Sequence, residues 1–277
     1  MSTPTARPKT AYITGGASGI GRALATRLLS KGWHVFIADR DAVSAESFAA
    51  EYNGSSTSAN ATIHHAYCDT ASWASQLSSF QKALHVLGGR IDFVAPIAGI
   101  GEKKWLPLPA EMAKTPADSF VEPDLSVVNI DLTGVLYTIA LAVQHFRRQD
   151  PVKWSPEHED SLCRGKIGLV ASICGIYCVP SLPIYTAAKH ALVGLTRSYG
   201  ALLREEGITV NAVAPNVVRT SISSDNFYQA LETEGLLTPM EGLMSAFDEI
   251  ITRAGSGEVY ECGPKNSWTK RLGVEYL

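Results

Sequence analysis

A serine, a tyrosine and a lysine are spaced in this sequence as a group that could move a proton. Tyr185 and Lys189 stand four positions apart (189 − 185), so on a helix their side chains lie on one face. A phenol normally loses its proton near pH ~10, and a neighbouring ammonium group favours the phenolate. Ser172 follows the apolar run 167–171, which predicts that its hydroxyl emerges at the end of a strand. We therefore predict that these three side chains are catalytic.

A glycine-rich turn near the N-terminus has the pattern of a pyrophosphate site. It follows the apolar run 11–13 and leads into the amphipathic segment 22–29, which predicts a strand, a turn and a helix. The N-terminal end of such a helix presents free backbone N–H groups and a positive partial charge to phosphates. Glycine permits the tight turn and the close approach of a diphosphate. The predicted contact residues are Gly15, Ser18, Gly19, Ile20 and Gly21.

A carboxylate after the second predicted strand indicates which dinucleotide binds. Asp39 follows the segment 34–38 and lies 18 positions after Gly21 (39 − 21), near the spacing of about 20 residues at which an acid holds the adenosine ribose. Its charge would repel a 2′-phosphate, which favours NAD over NADP. The guanidinium of Arg40 acts the other way, because it can reach a phosphate. Since residues 17–19 contain no second basic side chain, we predict NAD.

With these motifs, the chain resembles the short-chain dehydrogenase/reductase family over roughly residues 9–262. The resemblance implies the α/β fold class, with a single Rossmann-type, doubly wound parallel sheet flanked by helices and one domain over residues 1–277. It also implies a nicotinamide cofactor and a catalytic core of Ser172, Tyr185 and Lys189 that an asparagine assists. The further cofactor contacts that it implies are Asp69, Ala98, Gly99, Tyr185, Lys189, Val218 and Thr220.

Two further segments narrow the resemblance. Residues 131–135 and 146–149 look most like those of NAD-linked fungal members, related in pattern to 15-hydroxyprostaglandin and secondary-alcohol dehydrogenases. The resemblance then implies an oxidoreductase that transfers a hydride between NAD and a secondary alcohol or ketone, with a lipophilic or secondary-metabolite substrate. Tyr185 as phenolate would take the hydroxyl proton, Lys189 would lower the pKa of the tyrosine and hold the ribose, and Ser172 would bind the substrate oxygen.

Three positions depart from the family pattern. Ile97 stands where the family has an asparagine after the fourth strand, and Asp131 replaces the helix asparagine whose position joins a water relay to the lysine. Asn129 does not replace it, because two helix positions turn a side chain by about 200°. In the cofactor loop Asn216 replaces a glycine, and asparagine tolerates the left-handed backbone better than most residues. We retain Asp131 as a catalytic candidate.

The altered positions leave a second function open. A cyclase, isomerase or dehydratase of the same fold would bind the cofactor without net redox, and Asp131 and Ile97 are the reasons to consider it. A third possibility, a non-catalytic protein that senses NAD, is disfavoured because Ser172, Tyr185 and Lys189 are all present.

Composition excludes several classes of partner. The chain has 24 basic and 27 acidic residues for a formal charge of −3, and no basic run exceeds two residues. It therefore lacks the electrostatic footprint for nucleic acid or an anionic membrane. Residues 2–9 lack the apolar core of a signal peptide, and no run approaches 18 uninterrupted apolar residues, so we predict a cytoplasmic protein. The five cysteines lack zinc spacing, so we predict reduced thiols and no metal.

The remaining segments carry predictions about the substrate pocket and assembly. Apolar runs predict strands near 11–14, 34–38, 63–67, 92–97, 167–171, 208–213 and, less clearly marked, 257–262. Residues 1–8 are predicted to be flexible, and the proline-rich segment 101–124 is either a surface excursion or a wall of the pocket. Residues 221–250 match the substrate lid that the family implies, and their apolar stripe fits either a packed core or interface, or a lid. A helix near 125–149 and the tyrosine helix are implied to pair in a homodimer or homotetramer.

Overall fold

The computed structural model describes residues 7–55, 61–154, 162–220, 222 and 225–274. Most of the predicted flexible N-terminal segment therefore lies outside the described residues, as do residues 221, 223 and 224 of the predicted lid.

One sheet of eight strands organises the described chain. Its strands are β1 (Thr10–Thr14), β2 (His34–Asp39), β3 (Ile63–Tyr67), β4 (Phe93–Pro96), β7 (Gly165–Val170), β8 (Ile208–Pro215), β9 (Val259–Cys262) and β10 (Trp268–Arg271). They lie in the order β3-β2-β1-β4-β7-β8-β9-β10. All neighbours are parallel except β9 and β10, which are antiparallel. A separate pair, β5 (Val152–Lys153) and β6 (Leu162–Cys163), forms a short antiparallel ribbon.

Helices cover both faces of this sheet. They are α1 (Gly19–Ser30), α2 (Ala42–Asn53), α3 (Trp73–Val86), α4 (Pro109–Met112), α5 (Ser126–Val128), α6 (Val135–Phe146), α7 (Pro183–Leu203), α8 (Asp225–Thr233) and α9 (Met240–Thr252). Apolar side chains of α1, α2 and α9 pack in one buried cluster, and those of α3, α6 and α7 pack in a second. Strands covered on both faces read as continuous apolar runs, which explains why the sequence marks them clearly. The predicted doubly wound α/β fold is confirmed.

The long helix predicted near 125–149 is not a continuous α-helix, because its geometry changes around Asp131. Between α5 and α6 the backbone forms a π-helical turn at Asn129–Gly134, and this turn contains Asp131. Together these pieces, Ser126–Phe146, are long and apolar enough to cross a membrane by length and composition alone. Half of that apolar stretch is buried within the protein, where α6 packs against α3, β4 and β7. It is thus a core helix of this fold.

The predicted lid divides into two unlike parts. The apolar stripe of α9 is buried in the core, with Leu243 and Phe247 fully buried beneath the sheet. The interpretation of residues 221–250 as one lid is therefore wrong for its second half, because removing α9 would expose the core. In contrast, α8 buries only Tyr228. A lid is compatible only with α8 and the chain before it.

Candidate active site

Glycine is required by close contact in the turn between β1 and α1. A Cβ on Gly21 would lie 2.0 Å from the carbonyl oxygen of Gly15, and one on Gly15 would lie 2.8 Å from the backbone of Ala98. Gly15 and Gly19 also have positive φ values of 68° and 50°. The turn lies beside the switch point of the sheet, where β1 separates β2 from β4. Open sheets of this class bind ligands at that carboxyl edge, so the cradle fits the pyrophosphate of a dinucleotide.

The carboxylate of Asp39 is oriented by backbone groups at the same edge. Its Oδ2 accepts from the N–H of Ala17 at 2.9 Å, and its Oδ1 accepts from the N–H of Asp41 at 2.9 Å. Each carboxylate oxygen retains a lone pair for a further donor. Arg40 is exposed. The acid is therefore held in the glycine-rich turn, ready to accept from a ribose.

The tyrosine, lysine and serine converge at the carboxyl end of β7. Lys189 is buried, and its Nζ lies 5.2 Å from the ring centroid of Tyr185 and donates to the carbonyl of Val170 at 3.4 Å. Ser172 follows β7 and begins a short helical turn, with its Oγ accepting from the N–H of Cys174 at 3.2 Å. Burial raises the pKa of Tyr185, and a hydrogen bond with Ser172 opposes part of that shift. The phenol thus has an ammonium group and a hydroxyl group as neighbours.

Asp131 forms a buried ion pair with the lysine. Its Oδ2 lies 3.2 Å from Nζ of Lys189, and its side chain is 0% exposed. Its Oδ1 accepts from the N–H of Ile100 at 2.8 Å. The π-helical turn holds the carboxylate at this point, between α7 and the turn that follows β4. Asp131 therefore joins the lysine to that turn.

The charges in this group act on one another. Although burial favours the neutral amine, Tyr185 and Asp131 hold the pKa of Lys189 above its usual value. Burial raises the pKa of Asp131 despite the opposing charge of Lys189. Burial likewise raises the pKa of Tyr185, and Asp131 adds to this shift while Lys189 opposes it. Lys189 is therefore a stable ammonium at neutral pH, and the phenolate becomes more populated as the solution turns alkaline.

The turn after β4 is supported without the family's asparagine. Thr14 Oγ1 accepts from the N–H groups of Ile97 and Ala98 at 3.1 and 3.4 Å, and Ile97 packs on the apolar core.

The left-handed backbone considered for Asn216 is not found, because Asn266 is the only non-glycine residue with a positive φ in the described ranges. A negative φ at Asn216 needs no glycine.

The other predicted cofactor contacts lie around the same edge. A Cβ on Gly19 would lie 3.1 Å from the side chain of Thr220, and one on Gly99 would lie 3.1 Å from Oδ2 of Asp131. Val218 is buried, and Asp69 follows β3 and accepts from the N–H of Ala71 at 3.0 Å. The residues predicted from the glycine-rich turn and from the resemblance thus lie at the ends of several parallel strands.

Glu102 is a residue of this site that sequence reasoning missed. Its carboxylate accepts from the N–H of Tyr185 at 2.7 Å and from that of Ile184 at 3.3 Å, at the beginning of α7. The only indication of this contact in the sequence was the lack of a capping side chain before α7. Leu182 precedes the helix and offers no side chain to cap it, so a cap had to come from elsewhere in the chain.

Comparison with known proteins agrees with this geometry. A family model described as short chain dehydrogenase matches residues 9–230. The short-chain dehydrogenase/reductase prx6 of Penicillium rubens is 28% identical over 266 residues, which span 92% of this chain and 83% of the relative. The short-chain dehydrogenase/reductase ATR7 of Stachybotrys chlorohalonatus is 30% identical over 270 residues, spanning 94% and 74%. A 5′-hydroxyaverantin dehydrogenase of Dothistroma septosporum is 31% identical over 226 residues, spanning 77% and 68%.

Solved structures agree on the fold. A 3-ketoacyl-(acyl-carrier-protein) reductase from Brucella melitensis, complexed with NADH, superimposes with a TM-score of 0.71 at 23% identity and covers 94% of this chain and 99% of its own. A short-chain type dehydrogenase/reductase from Mycobacterium marinum gives a TM-score of 0.73 at 22% identity over 92% and 94%. At these identities the likeness concerns architecture alone.

Proposed function

Because the chain belongs to the short-chain dehydrogenase family, a family of oxidoreductases, we propose that it transfers a hydride between NAD and a secondary alcohol or ketone. The observation that carries the proposal is the approach of Lys189 Nζ to within 5.2 Å of the Tyr185 ring, at the strand end that Ser172 follows. An ammonium and a hydroxyl around one phenol suit the removal of a proton from an alcohol.

In the proposed reaction each side chain has one task. Ser172 donates a hydrogen bond to the substrate oxygen, and Tyr185 as phenolate accepts the hydroxyl proton. Lys189 stays an ammonium and stabilises the phenolate, supported by its 3.2 Å contact with Asp131. Bound NAD supplies the acceptor for the carbinol hydride. Acid–base help of this kind contributes about 10²–10⁴-fold to a rate.

The choice of NAD over NADP rests on Asp39. Both of its carboxylate oxygens are oriented by backbone N–H groups and can accept from the two ribose hydroxyls. A 2′-phosphate at this point would meet a negative charge, and residues 17–19 of the turn add no basic side chain to the exposed Arg40.

The substrate class, location and assembly belong to the same proposal. A lipophilic secondary metabolite is supported by the exposed apolar side chain of Ile222, which lies beside Gly101, and by the name of the Dothistroma septosporum relative. We expect a cytoplasmic homodimer or homotetramer that uses α6 and α7, where Leu136 and Leu202 are exposed. A sedimentation experiment on the purified protein measures the assembly.

One observation favours a second candidate. The buried pair of Asp131 and Lys189 keeps a carboxylate beside the reaction centre, where a cyclase, isomerase or dehydratase would use an acid and a base without net redox. Such an enzyme would convert its substrate while the amount of NAD stays constant.

A cofactor assay separates these functions. The protein is mixed with NAD and a panel of lipophilic secondary alcohols, and the absorbance of the reduced cofactor is followed. We expect reduced cofactor with at least one alcohol, and weaker activity with NADP. Substrate conversion without reduced cofactor would support the second candidate, and tighter binding of NADP would reject the choice of NAD.

A further inference from the structure

The segment Ile100–Glu102 is tied to the catalytic helix at two points. Its first residue donates its N–H to Asp131 at 2.8 Å, and Asp131 lies 3.2 Å from Lys189. Its last residue, Glu102, accepts from the N–H of Tyr185 at 2.7 Å. The two contacts close a ring that contains both Tyr185 and Lys189, which are one helical turn apart on α7. Neither residue can shift far without moving this segment.

Glu102 satisfies the N-terminal turn of α7 completely. Pro183 begins the helix and has no N–H group, and the N–H of Thr186 already bonds to the carbonyl of Leu182 at 2.8 Å. The unpaired groups are those of Ile184 and Tyr185, and Glu102 accepts from both. A carboxylate at a helix N-terminus also interacts favourably with the helix dipole. The cap is thus charged, and it comes from a segment remote in sequence.

We propose that Glu102 is a positioning residue that fixes Tyr185 for proton transfer. The inference rests on the proposed function for its chemistry. Glu102 contacts the backbone of the tyrosine itself, so a loss of this cap frees the residue that must meet the substrate hydroxyl.

The position of Glu102 predicts that its removal affects kcat but not the Kd for NAD. The cradle for the dinucleotide is built from the turn after β1 and from Asp39, and Glu102 contacts neither. Removing the cap should therefore lower kcat for alcohol oxidation and leave the Kd for NAD unchanged. A variant that keeps an acceptor oxygen should recover part of the loss.

The test compares Glu102→Ala and Glu102→Gln with a matched control, Glu111→Gln. Glu111 lies in the proline-rich segment 101–124, as Glu102 does, and it also caps a helix, because it accepts from the N–H of Leu108 at 2.7 Å. Its other partner is Lys104, so its carboxylate bonds within that segment rather than to α7. We expect Glu102→Ala to lower kcat between about tenfold and about a hundredfold, and Glu102→Gln to lie between it and wild type. The control should match wild type.

Amide hydrogen exchange over residues 182–190 tests the cap without turnover. Exchange at Ile184 and Tyr185 should accelerate in Glu102→Ala and stay unchanged in Glu111→Gln. Wild-type exchange and wild-type kcat in Glu102→Ala would overturn the inference, as would an equal loss of NAD affinity and kcat, which would indicate general damage. If the wild type reduces no NAD, the proposed function fails, and the exchange data still decide whether Glu102 holds the tyrosine.

Discussion

The cofactor region and the catalytic region keep the family pattern to different degrees. The cofactor region comprises residues 10–39, and the catalytic region comprises residues 97–102, 129–134 and 172–189. The first retains every predicted glycine and its acid, whereas the second replaces two asparagines. In the cofactor region the close contacts of Gly15 and Gly21 are with backbone atoms, and a Cβ on Gly21 would lie 2.0 Å from a carbonyl oxygen. No side chain can compensate there.

The catalytic region depends on side chains, and the residues that depart from the family pattern each have a partner in this structure. Thr14 holds the turn at Ile97, and Asp131 binds both Lys189 and the N–H of Ile100. A buried carboxylate is costly unless it is paired, and here the lysine pairs it. The comparison teaches that a site built on backbone contacts is fixed in sequence, while one built on side chains can vary if each new group gains a partner.

The largest effect is expected in the catalytic region from Tyr185→Phe. The variant keeps the ring and its packing but loses the proton acceptor, so kcat should fall by about 10²–10⁴-fold while NAD affinity is retained. Tyr177→Phe is the matched control, because its hydroxyl bonds to Glu261 and Arg271 in the C-terminal hairpin. Steady-state kinetics with a calorimetric NAD titration measure both quantities. Equal activity of Tyr185→Phe and wild type would reject the mechanism.

In the cofactor region, Gly21→Ala should show that backbone contacts leave no tolerance. The added methyl group forces α1 away from Gly15, so the free energy of unfolding should drop by about 1–3 kcal/mol and NAD affinity by more than about tenfold. Gly263→Ala serves as the control, since a Cβ there meets nothing within 4 Å. Denaturant unfolding and NAD titration provide the measurements. A Gly21→Ala protein that binds NAD normally would contradict the close contact.

A smaller effect is expected from Asp39→Asn, which retains one acceptor oxygen for the N–H of Ala17 and removes the charge. The preference for NAD, taken as the ratio of kcat/KM values for NAD and NADP, should fall by roughly tenfold, about 1.4 kcal/mol. Asp41→Asn is the control, because Asp41 caps α2 through the N–H of Ser44. An unchanged ratio in Asp39→Asn would mean that another group selects the cofactor.

The smallest effect on the maximal rate is expected from Asp131→Asn. The amide oxygen can still accept from the N–H of Ile100, so the variant should fold and remain at least as active. Since the carboxylate raises the pKa of both Tyr185 and Lys189, its removal lowers both values. We expect the rate of oxidation to rise toward alkaline pH in the wild type, as the phenolate forms, and this rise to move to lower pH in the variant. A loss of more than about tenfold, about 1.4 kcal/mol, would assign Asp131 its own catalytic task.

Sequence patterns predicted the parallel strands well because their apolar runs are continuous. The expected strands at 11–14 and 34–38 correspond to β1 and β2, with one extra residue in each. β10 was missed because Trp268–Arg271, at the sheet edge, contains a single apolar residue followed by three polar ones. The π-helical turn was missed because the apolar periodicity of the long helix continues through it.

Some contacts of the candidate site could likewise be predicted from the sequence, and others could not. The glycine-rich turn and the spacing of Tyr185 and Lys189 are local features, so the sequence alone locates them. The contacts of Asp131 with Lys189 and of Glu102 with Tyr185 join residues far apart in the chain. No local pattern encodes such pairs: the family resemblance implied that residue 131 lies near the lysine, and the contact of Glu102 with Tyr185 is visible only in the structure.

The central claim is that this site transfers a hydride, and the most direct measurement follows that hydrogen. The wild-type protein is incubated with NADH deuterated at the nicotinamide C4 and with a panel of lipophilic ketones, and the products are analysed by mass spectrometry. The account predicts alcohols that carry deuterium at the carbinol carbon, and none with Tyr185→Phe. Products formed without deuterium, while the labelled NADH stays intact, would contradict it.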